Sequence, residues 1–206
     1  MTVLASSIIN RVRLQLVDTS ASPRWSDTEL LNWLSDGQRS IVAAIPYAAP
    51  VKVVQAMVAG VEQPLPAVAH QLITVYRNLS LSGVRGQSCQ EVDRKLMDLQ
   101  YSSWPADAPS STVRAWWYDV DDPQNFYVYP PNDGTGSVEL AYALMPVDVA
   151  SDATPLVVRD IFQTALFDYV MARAHQKDSD YAAGGALVTA YMQLFSSFIE
   201  TQKGTT

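Results

Sequence analysis

Apolar residues recur at helical spacing at both ends of the chain and at strand spacing between them. Leu4, Ile8, Val12 and Leu16 lie four apart, which predicts a helix over residues 2–17 with Asn10, Arg11, Arg13 and Gln15 on other faces. The turn-rich run Asp18–Pro23 breaks it. Ser26 with Glu29 three residues on reads as a capping box, and Trp25 just before it can staple onto Leu30. The helix that follows carries Leu30, Leu34, Ile41 and Ile45 on one stripe, beside Leu31, Trp33 and Val42, and ends before Pro46. At the other end, Pro155–Glu200 reads as two long helices. Val158, Phe162, Ala165, Tyr169 and Ala172 form the stripe of the first, widened by Ile161, Leu166 and Val170; Tyr181, Val188, Tyr191, Phe195 and Phe198 form that of the second. The linker Gln176–Asp180 is polar and ends in good helix caps. Neither stripe is stable in water alone, so the pair is expected to fold back antiparallel. Gly184 and Gly185 are expected to allow close approach of the two backbones.

Between these ends the period changes to two. Val51–Met57 reads as a strand, Ala59-Gly60 as a turn and Val61–Pro66 as an extended return. Ala67–Ile73 reads as a short helical piece and Thr74–Leu81 as a strand. Ser82-Gly83 and Arg85-Gly86 bracket a turn, and Glu91–Leu99 is a short amphipathic helix. Tyr101–Thr112 is a surface loop rich in proline and serine. Val113, Ala115 and Trp117 then alternate with Arg114, Trp116 and Tyr118. Phe126–Tyr129 is a second strand, Pro130–Gly136 a tight connection, and Ser137–Met145 a third strand with Val138, Leu140, Tyr142 and Leu144 inward. The expected fold is α+β in a single domain over 1–206: a bundle of four long helices, two N-terminal and two C-terminal, from 2–45 and 155–200. A small antiparallel β region with short helices is inserted at 50–146, and a flexible tail follows at 201–206.

Composition narrows the chemistry. With 206 residues, 48% hydrophobic and 17% charged, the chain is globular in character, and no run of about 18 apolar residues suggests a membrane span. The N-terminus reads as lacking a signal peptide. Cys89 is the single cysteine, which fits a reducing compartment, and with only His70 and His175 beside it a zinc site is not expected. Asp119-Val120-Asp121-Asp122 resembles the start of a calcium loop, but Gln124 and Pro130 stand where the glycine and the closing acid belong. An acidic turn ended by Pro123 is the plainer reading. No nucleophile elbow, Walker loop or dinucleotide fingerprint is present. The expectation is no catalytic residue, no metal and no cofactor. The net charge of −7 argues against a protein that grips DNA through its phosphates, yet suits a wall past which DNA slides.

The aromatic strands carry two readings. Alternation places half of Trp116, Trp117, Tyr118, Phe126, Tyr127 and Tyr129 in the core of a small sheet. The remainder would face outward, and exposed aromatics in number mark protein interfaces. Trp116, Tyr118, Tyr127 and Tyr129 are therefore the candidate subunit or tail interface.

A set of short segments in order along the chain adds a resemblance. Arg24-Trp25-Ser26-Asp27 with Glu29-Leu30-Leu31 and Asp36-Gly37-Gln38-Arg39 comes first. Phe126-Tyr127-Val128-Tyr129-Pro130-Pro131 follows, and then Asp168-Tyr169-Val170 with Arg173-Ala174 and Lys177–Asp180. Together they resemble the adaptor proteins of tailed bacteriophages, the head-to-tail connectors or tail tubular protein A-like proteins. The resemblance implies a virion structural protein at the head–tail junction, assembled in the bacterial host cytoplasm. Such a protein forms a ring, commonly of 12 copies, beneath the portal protein. It extends the channel for double-stranded DNA, without specific binding, and offers a docking surface to the tail or nozzle protein. In that family the helical bundle and C-terminal segment meet the portal and the β region faces the tail. Ile199, Glu200 and Lys203 are the corresponding candidate portal contacts, in an end expected to order on docking. The alternatives are another tail-completion ring protein or a carbohydrate- or receptor-binding module, with no membrane partner in any of them.

Overall fold

A computed structural model describes residues 3–80, 83–177 and 182–204. Among them are five α-helices and two four-stranded sheets, which corrects the expected bundle of four long helices with a small β insertion. The β residues form two full layers, and the first helix is only three turns long. By internal packing the chain divides into two units, Met1–Ala49 with Met145–Thr206, and Pro50–Leu144.

In the helical unit, α1 (Ala5–Gln15) and α2 (Asp27–Ala44) follow the 3.6-residue stripes, with Ile8, Val12, Leu30, Leu34, Ile41 and Ile45 buried. The capping box is present: Ser26 Oγ accepts from Glu29 N–H at 3.3 Å and Glu29 Oε2 accepts from Ser26 N–H at 3.0 Å. Gly37 lets α2 approach α4 (Gln163–Lys177), because a Cβ there would lie 3.1 Å from Leu166 Cδ2 and Tyr169 Cδ1. The helix expected from Pro155 starts later. Residues 149–158 are instead an irregular segment with a turn at 151–154, held by polar groups that sequence patterning treats as surface. Ser35 Oγ accepts from Val149 N–H at 2.9 Å, and the buried Gln38 Oε1 accepts from Val157 N–H at 2.7 Å. The same segment caps α1, whose first amides Ala5 N–H and Ser6 N–H donate to the carbonyls of Thr154 and Asp152 at 3.0 and 2.7 Å.

Helices α4 and α5 (Ala182–Lys203) form the expected antiparallel pair: Phe162 meets Phe198, Tyr169 meets Phe195, and His175 meets Tyr191. The linker's Asp178–Asp180 and Tyr181 lie outside the described residues, as do Ser82 and the last two threonines. The tail expected to be flexible is helical as far as Lys203, and Tyr47 Oη donates to Gln202 O at 2.6 Å. The expected close approach at Gly185 is absent, since a Cβ added there meets nothing within 4 Å.

Helix α1 ends in a Schellman motif, Asp18 N–H to Arg13 O at 2.9 Å and Val17 N–H to Leu14 O at 3.2 Å. Glycine usually occupies its left-handed position, but here Val17 does, at φ 54° and 86% exposed. A β-branched side chain is disfavoured in that conformation. Val17→Gly is accordingly expected to raise stability by about 1 kcal/mol, read as a shift of the urea midpoint at constant slope; an unchanged or lowered midpoint would contradict the strain.

The β unit is a two-layer sandwich. One sheet has the order β1 (Pro50–Ala56), β8 (Ser137–Leu144), β3 (Ala69–Leu79), β4 (Arg85–Ser88). The other has β2 (Ala59–Pro64), β7 (Asn125–Asp133), β6 (Ala115–Tyr118), β5 (Gln90–Glu91). The expected return of β2 along β1 does not occur. β1 pairs with β8 and β2 with β7, so the chain changes layer between them. Residues 67–73, expected as helical, hold the start of β3 from Ala69 onward, because Leu72 and Val75 are needed inside. The two layers close over Leu72, Val75, Trp116, Phe126, Val128, Val138, Leu140 and Tyr142. The sheet is not wholly antiparallel, as β5 lies parallel to β6. The predicted short helix is α3 (Arg94–Gln100).

Candidate assembly surfaces

Strand register decides which aromatics are available. Trp117 is opposite Tyr127, and Ala115 is opposite Tyr129. Since successive side chains alternate between faces, Trp117, Tyr127 and Tyr129 share one face while Trp116, Tyr118, Phe126 and Val128 share the other. The four candidate interface residues are thus split between the two sides. Trp116 is 3% exposed in the sandwich core, which removes it from any surface of the folded chain. Tyr118 packs partly against the same core, and its hydroxyl donates to Pro123 O at 3.1 Å.

Tyr127 and Tyr129 lie on the outer face, but the chain itself supplies much of their cover. Trp117 stacks on Tyr127 at 5.8 Å between centroids and receives the edge of Trp104 at 4.8 Å. Tyr101 meets Tyr129 edge-on at 6.2 Å. The proline-rich loop is therefore folded down onto the sheet, with Trp104 buried and its Nε1–H donating to Asp98 Oδ1 at 2.9 Å. Carboxylates fix the phenols: Asp107 accepts from both Tyr101 and Tyr129 at 2.9 Å, and Asp122 accepts from Tyr127 at 2.8 Å. The hydrogen bond to Asp122 pushes the Tyr127 phenol up to about 12, and Asp107 raises Tyr101 and Tyr129 in the same direction. The layer is polar-locked as well as packed.

What this layer leaves outward is α3. None of its residues is buried. At seven residues it is far too short to be stable as an isolated helix. Its polar side is the one tied inward, through Asp98 to Trp104 and through Arg94 to Asp119. Leu96 and Leu99, 54% and 82% exposed, face away, while Tyr101 is turned inward onto Tyr129 and Asp107. Sequence patterning identified the helix as amphipathic but not that its apolar stripe points to solvent. Beside α3 runs an open cleft of about 840 Å³ whose charged walls, Arg94 with Asp98 and Asp119, pair with one another.

In the helical unit, the candidate portal residues are divided. Ile199 is buried, whereas Glu200 and Lys203 are exposed and form an ion pair at 3.0 Å one helical turn apart. Cys89 is half-buried and its thiol is pushed up to about 11 by burial, the direction opposite to activation. Among the described residues, no three His, Cys, Asp or Glu side chains come together as a metal site would require. None of the helices described is long and apolar enough to cross a membrane.

A search of curated proteins finds no match to this chain. The family model described as SU10 adaptor protein matches residues 1–206, from the first residue to the last. The chain therefore belongs to the SU10 adaptor protein family, a family of bacteriophage structural proteins that join virion components.

Proposed function

We propose that this protein forms a closed ring between portal and tail, most simply of twelve copies, through which the viral DNA passes. The whole-length match to an adaptor family carries this reading. The helical unit meets the portal, with Glu200 and Lys203 at the exposed end of α5 as contacts, and the β unit meets the tail. The α3 ridge of Leu96 and Leu99 supports the second assignment, because apolar side chains directed to solvent by a helix bonded through its polar side mark a docking surface. Of the original aromatic set, Tyr127 and Tyr129 flank this ridge and Trp116 does not contribute. The net charge of −7 keeps the channel wall from holding DNA phosphates. A sugar-binding platform is the weaker reading, since the flat face of Trp117 is already occupied by Tyr127.

Removing Thr201–Thr206 tests the portal assignment. The truncated chain is expected to bind portal at least about 10-fold more weakly, about 1.4 kcal/mol. It should keep its cooperative melting transition, because the deletion leaves the buried Phe195 and Ile199 in place. Wild-type affinity after the deletion would move the portal contact elsewhere.

A further inference from the structure

Copies that each carry a net charge of −7 repel unless opposite charges face one another where they meet. The β unit divides its charge in that way. The strands of the β2–β7–β6–β5 sheet carry Glu62, Glu91 and Asp133 and no Lys or Arg. Those of the β1–β8–β3–β4 sheet carry Lys52, Arg77 and Arg85 against Glu139 alone. Register places Val54 and Arg77 on either side of Glu139, on the face turned away from Val138 and Leu140 in the core. Lys52 Nζ reaches Glu139 at 3.0 Å and Arg77 Nε lies 3.7 Å from it, so two cations share one carboxylate. The Lys52 hydrogen bond, with Arg85 and Arg77 nearby, holds the Glu139 carboxyl below its ordinary range. Arg85 stands in β4, whose residues are all exposed. The face keeps positive charge to spare. It also presents Val54, 64% exposed, and Tyr76, 40% exposed with Lys52 Nζ 4.4 Å over its ring.

The same chain carries a projection of the opposite sign. The turn between β6 and β7, Asp119-Val120-Asp121-Asp122, sets three carboxylates around Val120, which is 75% exposed. Its shape is fixed from within. Asp119 O accepts from Asp122 N–H and Asp119 Oδ1 from Asp121 N–H, both at 3.1 Å. Asp122 accepts from Tyr127 at 2.8 Å and from Asn125 at 3.0 Å. Arg94, 3.8 Å from Asp119, is already shared with Asp98. The turn therefore keeps negative charge to spare, and a rigid tip loses little freedom on docking.

Resting on the ring reading above, we propose that the acidic β6–β7 turn of one copy docks on the basic face of the β1–β8–β3–β4 sheet of the next. Val120 meets Val54 and Tyr76, and the carboxylates of the turn meet Lys52, Arg77 and Arg85. The turn repeats the mixture found on the sheet, charge around an exposed apolar side chain, with the sign reversed. Duplex phosphates would match the cations but leave Val54 without an apolar partner. The two patches differ, so the contact is heterologous, each copy giving one and receiving the other, as a closed ring requires.

The test is charge reversal in the full chain, under the conditions that assemble the wild type. Arg85→Glu and Asp121→Lys alter exposed side chains, so the monomer's melting should be unchanged. Each variant alone is expected to assemble at least about 10-fold more weakly, because like charges then face one another. An equimolar mixture of the two should recover assembly, since every contact in a ring of alternating variants again joins opposite charges; native mass measurement reads the alternation. Rings that form normally from either variant alone, or a mixture that fails to recover, overturn this contact while leaving the ring reading intact. Arg85→Glu rings that form normally but lose affinity for duplex DNA overturn it too, and assign the face to phosphate. A wild-type chain that stays monomeric at every concentration, with and without portal, overturns both.

Discussion

Replacing Trp117 with alanine is expected to destabilise the β unit by about 3–5 kcal/mol. The side chain is 4% exposed, stacked on Tyr127 and struck edge-on by Trp104. Aromatic pairs of these geometries add about 0.5–1.5 kcal/mol each beyond the area they bury. The loss would not stop at the cavity. Trp104 would keep its bond to Asp98 but lose the ring it rests on, loosening the loop that carries α3. Trp117→Phe is the informative control. The indole Nε1 of Trp117 makes no hydrogen bond, so phenylalanine keeps much of the packing and breaks no polar contact. Urea unfolding followed by circular dichroism should rank wild type above Phe and Phe well above Ala. An alanine variant within 1 kcal/mol of wild type, an order-of-magnitude bound, would contradict the structural role given to this layer.

A comparable effect is expected from Asn78→Leu, by a different route. Asn78 sits in β3 but exchanges two hydrogen bonds with the backbone of Val113, which leads into the other sheet. Its Oδ1 accepts from Val113 N–H, and its Nδ2 donates to Val113 O, both at 2.7 Å; a further bond reaches Gln87 O at 3.0 Å. The carboxamide thus replaces a strand pairing where two layers meet. Leucine nearly preserves the volume but leaves the buried Val113 N–H unpaired and its carbonyl with only the weak Cys89 thiol donor at 3.6 Å. An unpaired buried group costs about 1–3 kcal/mol, and the weakened carbonyl adds to that loss. The matching observation is hydrogen exchange: the Val113 amide, protected in wild type, should exchange much faster in the variant. Unchanged protection and stability would mean that the sheets are held together by the apolar core alone.

Such buried carboxamides also show why part of the fold was illegible beforehand. Gln38 secures residues 157 and 158, Asn78 secures Val113, and Gln63 closes the turn at Val58 with Oε1 accepting and Nε2 donating at 2.8 Å. In a pattern of apolar and polar positions all three count as solvent-facing. The helices with a strong 3.6 period were readable, as was the capping box at Ser26, because their causes are local. Pairing across the sheets was not. β1 joins β8 more than eighty positions away, and nothing local to Val51–Met57 distinguishes that partner from a nearby hairpin. The aromatic strand shows the same limit. Alternation separated Trp116 from Trp117 correctly but could not say which face would be inside. That depended on the Trp117–Tyr127 register and on a loop whose prolines and serines disguised Trp104 as surface. The candidate interface consequently shifts from the strand aromatics to α3, whose outward stripe only the folded chain reveals.

The central claim is that these uncovered apolar surfaces exist to meet other copies and other virion components. Native mass measurement of the purified chain over a rising concentration series, alone and with portal protein, tests it most directly. The account predicts one closed oligomer of fixed copy number, formed either by mass action or on contact with the portal. A chain that remains monomeric throughout both series would contradict it.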